Sequence, residues 1–376
     1  LPVPYSRFLS PLIRRPYTVV LIVPTGIGAA IGGYAGDALP VARALSQVAD
    51  CLITHPNVLN GAQLYWPLPN ALYVEGYGLD RFAAGEWGLS PVHQNRVGLV
   101  LDRGIEPELR LRHLQAADAA RATLGLSLTD WILTDESLEV DLKTAASGAT
   151  WGTIRQAGSL LRAVEQLIHR AGATAIAVVA RFPDDLDNQA LEQYRHGQGV
   201  DPLAGAEAII SHLVVRTFQI PCAHAPALLP LPPDPQLSPR CAAEELGYTF
   251  LPSVLVGLSY APQFVVPGRK TVPPVGAESN SLWCDRVDAA IAPETACGSS
   301  ALLSFSQSAT QIIAIRENVT QLQVAPEKLG IEALRVNSYW EALGILLAQK
   351  AGVSPAALRA TLSPFRCLNN THPTIC

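Results

Sequence analysis

The sequence predicts an α/β protein of two lobes, each a mostly parallel, Rossmann-like sheet flanked by helices, with a ligand cleft between them. Three observations carry this. Apolar, β-rich runs alternate with helical stretches along most of the chain, the pattern of stacked βαβ units. The 376 residues exceed the roughly 100–200 of one ordinary domain. Hydrophobic residues make up 49% and charged residues only 16%, against a usual charged share of ~25%, so a large core forms and disorder is excluded.

Taken in order, residues 17–23 are an unbroken apolar run, the mark of a strand buried on both faces. A helix over 38–49 follows, then strands at 51–54, 71–75 and 96–101. Residues 106–124 read as an amphipathic helix, 129–134 as a strand, 152–170 as a long helix and 174–180 as another buried strand. Helices near 188–195 and over 204–215 complete an N-terminal lobe spanning residues 1–220, which carries a Gly-rich loop. Residues 221–239 contain seven Pro, a density no helix or central strand tolerates, and read as a linker or crossing segment. The C-terminal lobe, 240–376, then has a short helix at 239–246 and strands at 251–256, 286–292, 311–315 and 332–336. Its helices fall at 298–308, 338–351 and 354–362, and the Pro- and Gly-rich stretch 262–280 reads as a loop over a site.

Composition narrows the function. With 32 acidic and 27 basic side chains, a net charge of −5 and only four Lys, the chain has no electrostatic footprint for nucleic acid or anionic lipid. The long uncharged stretches 16–36, 246–268 and 295–315 are broken by Gly, Pro or polar residues and do not read as membrane spans. The first sixteen residues lack the apolar block and cleavage site of a secretory signal, so the simplest expectation is a cytoplasmic protein. Seven scattered Cys without a Cys-x-x-Cys pair argue against a disulfide framework or a structural zinc site. The expected partner is a small anionic molecule, and self-association is left open.

Three strand-to-helix junctions are candidate anion sites. The first, after the opening strand, runs Pro24-Thr25-Gly26-Ile27-Gly28 and on through Gly32, Gly33 and Gly36 to Asp37. Glycines there permit a nest of backbone N–H groups around a phosphate or carboxylate; the alternative is a turn packed on the sheet with Asp37 capping the next helix. The spacing lacks the dinucleotide fingerprint, and no Lys follows to make a phosphate-binding P-loop. The second junction is Ser147-Gly148-Ala149-Thr150, and the third is Cys297-Gly298-Ser299-Ser300. His55 and Asn57 follow the second strand as orienting groups, and Arg316 is the best placed cation of the second lobe.

For chemistry, Asp135 and Glu294 stand at strand ends as candidate acid/base groups. A carboxylate beside a phosphate nest calls for Mg²⁺, or a substrate hydroxyl, between the two. Cys297 lies just ahead of a helix whose dipole favours thiolate, with His55, His212 and His224 as available bases; the alternative is a buried structural Cys. Cys222, His224 and His212 make a poor metal cage, and the acidic turn at Asp184, Asp185 and Asp187 reads as surface.

The runs Pro24-Thr25-Gly26-Ile27-Gly28 with Gly32-Gly33-Tyr34-Ala35-Gly36-Asp37, Thr54-His55-Pro56-Asn57-Val58, Val74-Glu75-Gly76-Tyr77, Thr134-Asp135-Glu136, Asp201-Pro202-Leu203-Ala204-Gly205-Ala206-Glu207 and Glu294-Thr295-Ala296-Cys297-Gly298-Ser299 resemble a mainly cyanobacterial family, domain of unknown function 3326, over nearly the whole chain. That resemblance implies no activity. A local likeness, Gly298-Ser299-Ser300 followed by Arg316-Glu317-Asn318-Val319-Thr320, is similar to the second lobe of nucleotide-sugar epimerases and glycosyltransferases, and implies a diphosphate at that helix entrance. The reading is therefore an enzyme acting on a phosphorylated or sugar-nucleotide-like metabolite. A Cys297-dependent racemase or hydrolase on a carboxylate and a non-catalytic metabolite-binding protein are the alternatives.

Overall fold

The computed structural model describes residues 15–60, 66–144, 150–183, 188–229, 232–245, 250–268 and 281–365. In chain order the elements are β1 (Thr18–Leu21), α1 (Leu39–Val48), β2 (Cys51–Thr54), α2 (Pro56–Leu59), β3 (Ala71–Tyr73), α3 (Gly76–Ala83), β4 (Gly88–Ser90) and β5 (Val97–Leu101). Next come α4 (Pro107–Leu124), β6 (Leu128–Leu133), β7 (Val140–Thr144), β8 (Thr150–Ile154), α5 (Ala157–Gln166), β9 (Ala175–Arg181), α6 (Asn188–Arg195) and α7 (Ala204–Phe218). The remainder is β10 (Cys222–Ala227), α8 (Ala242–Glu245), α9 (Phe250–Ser259), β11 (Gln263–Val265), β12 (Val287–Pro293), α10 (Ser300–Phe305), β13 (Gln311–Ile315), β14 (Ala333–Val336) and α11 (Tyr339–Ala351).

Two parallel sheets organise these elements. One has the order β14-β13-β12-β1-β2-β3 and the other β10-β9-β5-β6. Two antiparallel pairs, β11 with β4 and β7 with β8, are accessory. β1 is Thr-Val-Val-Leu with every residue buried, and each large aliphatic side chain so enclosed contributes about 1.5–3 kcal/mol over exposure. Alternation divides the apolar residues: Val19, Leu21 and Val23 face one core layer, Val20 and Ile22 the other. Each layer also holds residues of the second sheet, such as Leu99 and Val179 in the first and Val100 and Val178 in the second.

Strand order in the larger sheet locates a switch point. From β1 the chain moves outward through β2 and β3, and it later fills the other side of β1 with β12, β13 and β14. Loops leaving β1 and β12 therefore part in opposite directions and open a crevice at the carboxyl ends of the strands.

Five expectations are corrected. Residues 251–256, read as a strand, belong to helix α9, whose Leu251, Val254, Leu255 and Leu258 are all buried. α9 packs against β9 and β10 on one side and α4 on the other, so it is apolar all round and its period is unreadable. Residues 152–154 lie in β8, antiparallel to β7, and the helix begins only at Ala157. Within the supposed linker, residues 222–227 form β10, and Pro226 is tolerated because β10 pairs only with β9. The division at residues 221–239 also fails to separate the sheets, since the six-stranded sheet takes three strands from either side of it. Residues 355–358, expected as the core of a helix over 354–362, form a single 3₁₀ turn.

Candidate functional site

A cleft of about 290 Å³ opens at the carboxyl ends of β1, β2 and β3. Ile22, Pro24 and Thr25 come from the end of β1, His55, Pro56 and Asn57 from β2, and Glu75 and Gly76 from β3. Ser299 and Ala301, after β12, close the side beyond the switch point, while Glu207, Ser211 and His212 of α7 with His224 and Pro226 of β10 form the opposite wall. Among the described residues, the lining holds four carboxylates (Glu75, Asp80, Glu207, Glu244) and three imidazoles (His55, His212, His224), and no Lys or Arg.

Glu75 is positioned by the first turn of α3. It is the N-cap residue, and its Oε2 accepts from the backbone N–H groups of Tyr77 (2.9 Å) and Gly78 (3.3 Å). Its Oε1 lies against Nδ1 of His212, which orients the ring and favours its protonated form. Gly76 makes the approach possible, because a Cβ there would stand 3.1 Å from Cε1 of His212. Burial pulls the His212 pKa down, but Glu75 and then Asp80 outweigh it and the net shift is upward. The His212 side chain keeps 41% of its surface exposed, so its ring remains reachable from the cleft. Asp80, raised above the ordinary carboxylate range by burial, accepts the backbone N–H of Ala301.

On the facing wall, Nδ1 of His224 is 3.2 Å from Oγ of Ser211, and its Nε2 is 3.9 Å from Oε2 of Glu207. Behind them is an enclosed acid cluster. Burial and the neighbouring Glu207 push Asp201 up to about 8, and burial with Asp201 raises Glu244 well above its usual range. Glu244 accepts from the Tyr194 hydroxyl at 2.6 Å and from the backbone N–H of Ala35. Among the described residues, no three carboxylates or imidazoles of this cleft converge as a ready metal cage, so the expected Mg²⁺ finds no preformed site there.

The structure brings Thr25, His55, Asn57 and Ser299 into the lining. His55 and Asn57 also act structurally: Nε2 of His55 accepts from Val23 N–H (3.1 Å) and Asn57 donates to Gly32 O (2.8 Å). The glycine loop is largely filled by its own chain. The N–H groups of Ala30, Ile31, Tyr34 and Gly36 go to Val319 O, Asn318 Oδ1, Asp37 Oδ1 and Asn57 O. Gly26, Gly28 and Gly32 adopt positive φ, and Gly33 O lies 3.3 Å from the Tyr194 hydroxyl. Asp37 is fixed by Arg240 at 3.2 Å and does not cap α1, whose N-cap is Ala38.

The remaining candidates lie elsewhere. Asp135 is exposed and paired with Arg162 at 2.7 Å; the Arg162 and Ser159 hydrogen bonds hold it far below the usual carboxylate range, so it is no proton donor. Glu294 contacts Arg335 (3.0 Å) and Arg316 (3.7 Å), and none of the three lines the cleft. Cys297 is wholly buried, donates to Pro293 O at 3.5 Å, and is pushed up to about 11 by burial and Glu294. Enclosure thus defeats the helix-dipole argument for a thiolate. Ser299 caps α10 by accepting from Leu302 N–H (3.4 Å), leaving Ser300 as the first helical residue, and Gly298 packs on Val324. Ser147 and Gly148 lie outside the described residues, as do Asp184, Asp185 and Asp187, and Thr150 begins β8, not a helix.

Sequence reasoning noticed Glu75, Glu207, His212 and His224 but did not bring them to one site, and it passed over Asp80, Ser211 and Glu244. The available signal was the i, i+4 spacing of Glu207 and Ser211 on one apolar helix, which puts both on one face, with His212 next in sequence.

A family model described as protein of unknown function (DUF3326) matches residues 18–359. An uncharacterized lipoprotein of Synechococcus is 59% identical over 347 residues, covering 92% of this chain and 94% of the relative. No solved structure matches the chain.

Proposed function

We propose, for a chain that belongs to the DUF3326 family of unknown function, that the cleft binds a small metabolite rich in hydroxyl or amine donors and that His212, oriented by Glu75, takes a proton from it. The observation that carries this reading is the lining: among the described residues, four carboxylates and three imidazoles without Lys or Arg. Those carboxylates of the lining that are ionised only accept hydrogen bonds, so the complementary ligand surface donates them, while burial favours the protonated form of Glu244. A phosphorylated or sugar-nucleotide-like ligand suits this lining through its sugar hydroxyls, or through a divalent cation carried in with its phosphates. The position at a topological switch point supports a small-ligand site. A carboxylate against one imidazole nitrogen, with the ring facing the cleft, supports a general base.

No described helix is long and apolar enough to cross a membrane. The relative's description as a lipoprotein favours membrane attachment over a cytoplasmic location for this chain.

The test is a thermal-shift screen of the full chain with sugars, polyols, amines, sugar nucleotides and inorganic phosphate, repeated on Glu75→Gln and His212→Gln. A ligand at 100 Kd stabilises by about 2.7 kcal/mol. The reading expects stabilisation by a donor-rich compound, weakened in at least one variant. Stabilisation by phosphate alone, equal in all three proteins, would sink it. Binding with no turnover of the bound compound would remove the proton-transfer step and leave a binding protein.

A further inference from the structure

We propose that Glu192, His196 and Asp234 form a zinc site, separate from the cleft, that clamps the end of α6 to the proline-rich segment after β10. Glu192 lies on α6 and His196 one turn later, just past its last residue, so both face the same way. Nε2 of His196 is 3.8 Å from Oε2 of Glu192 and 3.4 Å from Oδ2 of Asp234. One donor atom from each of the three lies within 4.8 Å of the other two. Ligand atoms held about 2.0–2.2 Å from a tetrahedral zinc stand roughly 3.3–3.6 Å from one another, so the His196 separations are close to those a shared ion imposes.

The atoms that face away from the centre are held by other groups. Nδ1 of His196 lies 3.3 Å from Gln236 O, which directs the proton to that nitrogen and leaves Nε2 to bind metal. Oδ1 of Asp234 accepts Gln236 N–H at 2.8 Å, and Oε1 of Glu192 accepts from Arg195 at 2.9 Å. One imidazole and two carboxylates suit zinc, with water completing the tetrahedron on the solvent side. The clamp would stiffen one wall of the cleft, because the neighbouring Tyr194 donates to Glu244 and Arg195 donates to Pro232 O at 2.8 Å.

Zinc is held by the neutral imidazole and by ionised carboxylates, so its binding tightens as pH rises. The experiment strips the full chain with a chelator, titrates it with Zn²⁺ by calorimetry at pH 6 and pH 8, and records the visible spectrum with Co²⁺. Expected are one ion per chain, tighter binding at the higher pH, a tetrahedral Co²⁺ spectrum, and affinity weakened at least about tenfold in His196→Gln and Asp234→Asn. His113→Gln, on remote α4, should bind as the parent does. No stoichiometric binding, an octahedral Co²⁺ spectrum, or equal affinity in the parent and both variants would overturn the site. The spectrum of the unmutated chain keeps the test decisive if a variant folds poorly.

Discussion

Nε2 of His55 accepts the backbone N–H of Val23 across 3.1 Å, tying the end of β2 to the end of β1 beneath the cleft. An accepting nitrogen must be unprotonated, and burial lowers the His55 pKa to about 4. An unfolded chain titrates this group near its ordinary value, so between the two values the unfolded state binds more protons and stability rises with pH. The contribution is complete above the unfolded pKa and is lost as pH falls toward 4, at most about 3 kcal/mol in size. Urea unfolding at pH 7 and pH 4.5 should show this loss, and His55→Gln should reduce the difference between the two conditions.

Asp201 works in the opposite direction. Its pKa, raised to about 8 by burial and Glu207, means that the folded state retains a proton the unfolded chain has released. Its contribution is therefore unfavourable to folding and grows as pH climbs from the ordinary carboxylate range toward 8. Asp201→Asn, which mimics the protonated form and can still accept Leu203 N–H, should flatten the fall in unfolding midpoint over that interval. An unchanged slope would mean that another group binds the proton.

Cys297 should be inert in the native protein. Its sulfur is buried and its thiol is pushed up to about 11, and alkylation needs an accessible thiolate. Peptide mass spectrometry after iodoacetamide treatment at neutral pH should find Cys297 unmodified, with full labelling after denaturation. Rapid native labelling would restore the thiol to consideration as a nucleophile.

Gly28 and Gly330 separate two costs of replacing a glycine. Both have positive φ, +59° and +66°, but a Cβ at Gly28 would meet Gly199 O at 2.6 Å, while one at Gly330 meets nothing within 4 Å. Gly330→Ala should lose about 1 kcal/mol from backbone strain alone. Gly28→Ala should lose clearly more, because a backbone carbonyl cannot step aside. Equal unfolding midpoints for the two variants would show that the loop is free to move.

The relation of sequence to structure differs from element to element. β1, β2 and β13 were legible because a parallel strand covered on both faces is an unbroken apolar run. α9 was not, because a helix buried on every side gives the same unbroken run. β10 was obscured by Pro226 and the prolines around it, and Pro226 is compatible with a strand only because that strand is an edge.

The sequence by itself determined the α/β class, the chain order of most elements, and the polar residues stationed at strand ends. Only the tertiary structure decided which of those ends share a cleft. Glu75, His212 and His224 are far apart in sequence, and they meet because α3, which Glu75 caps, packs on α7 while β10 packs beside α7. Burial made the remaining decision. It closed Cys297 off from solvent and set a neutral His55 beneath the cleft, while Asp135 remained outside in an exposed ion pair. Local sequence encodes a residue's type and spacing, but its solvent exposure and its charged neighbours arise only when distant segments pack.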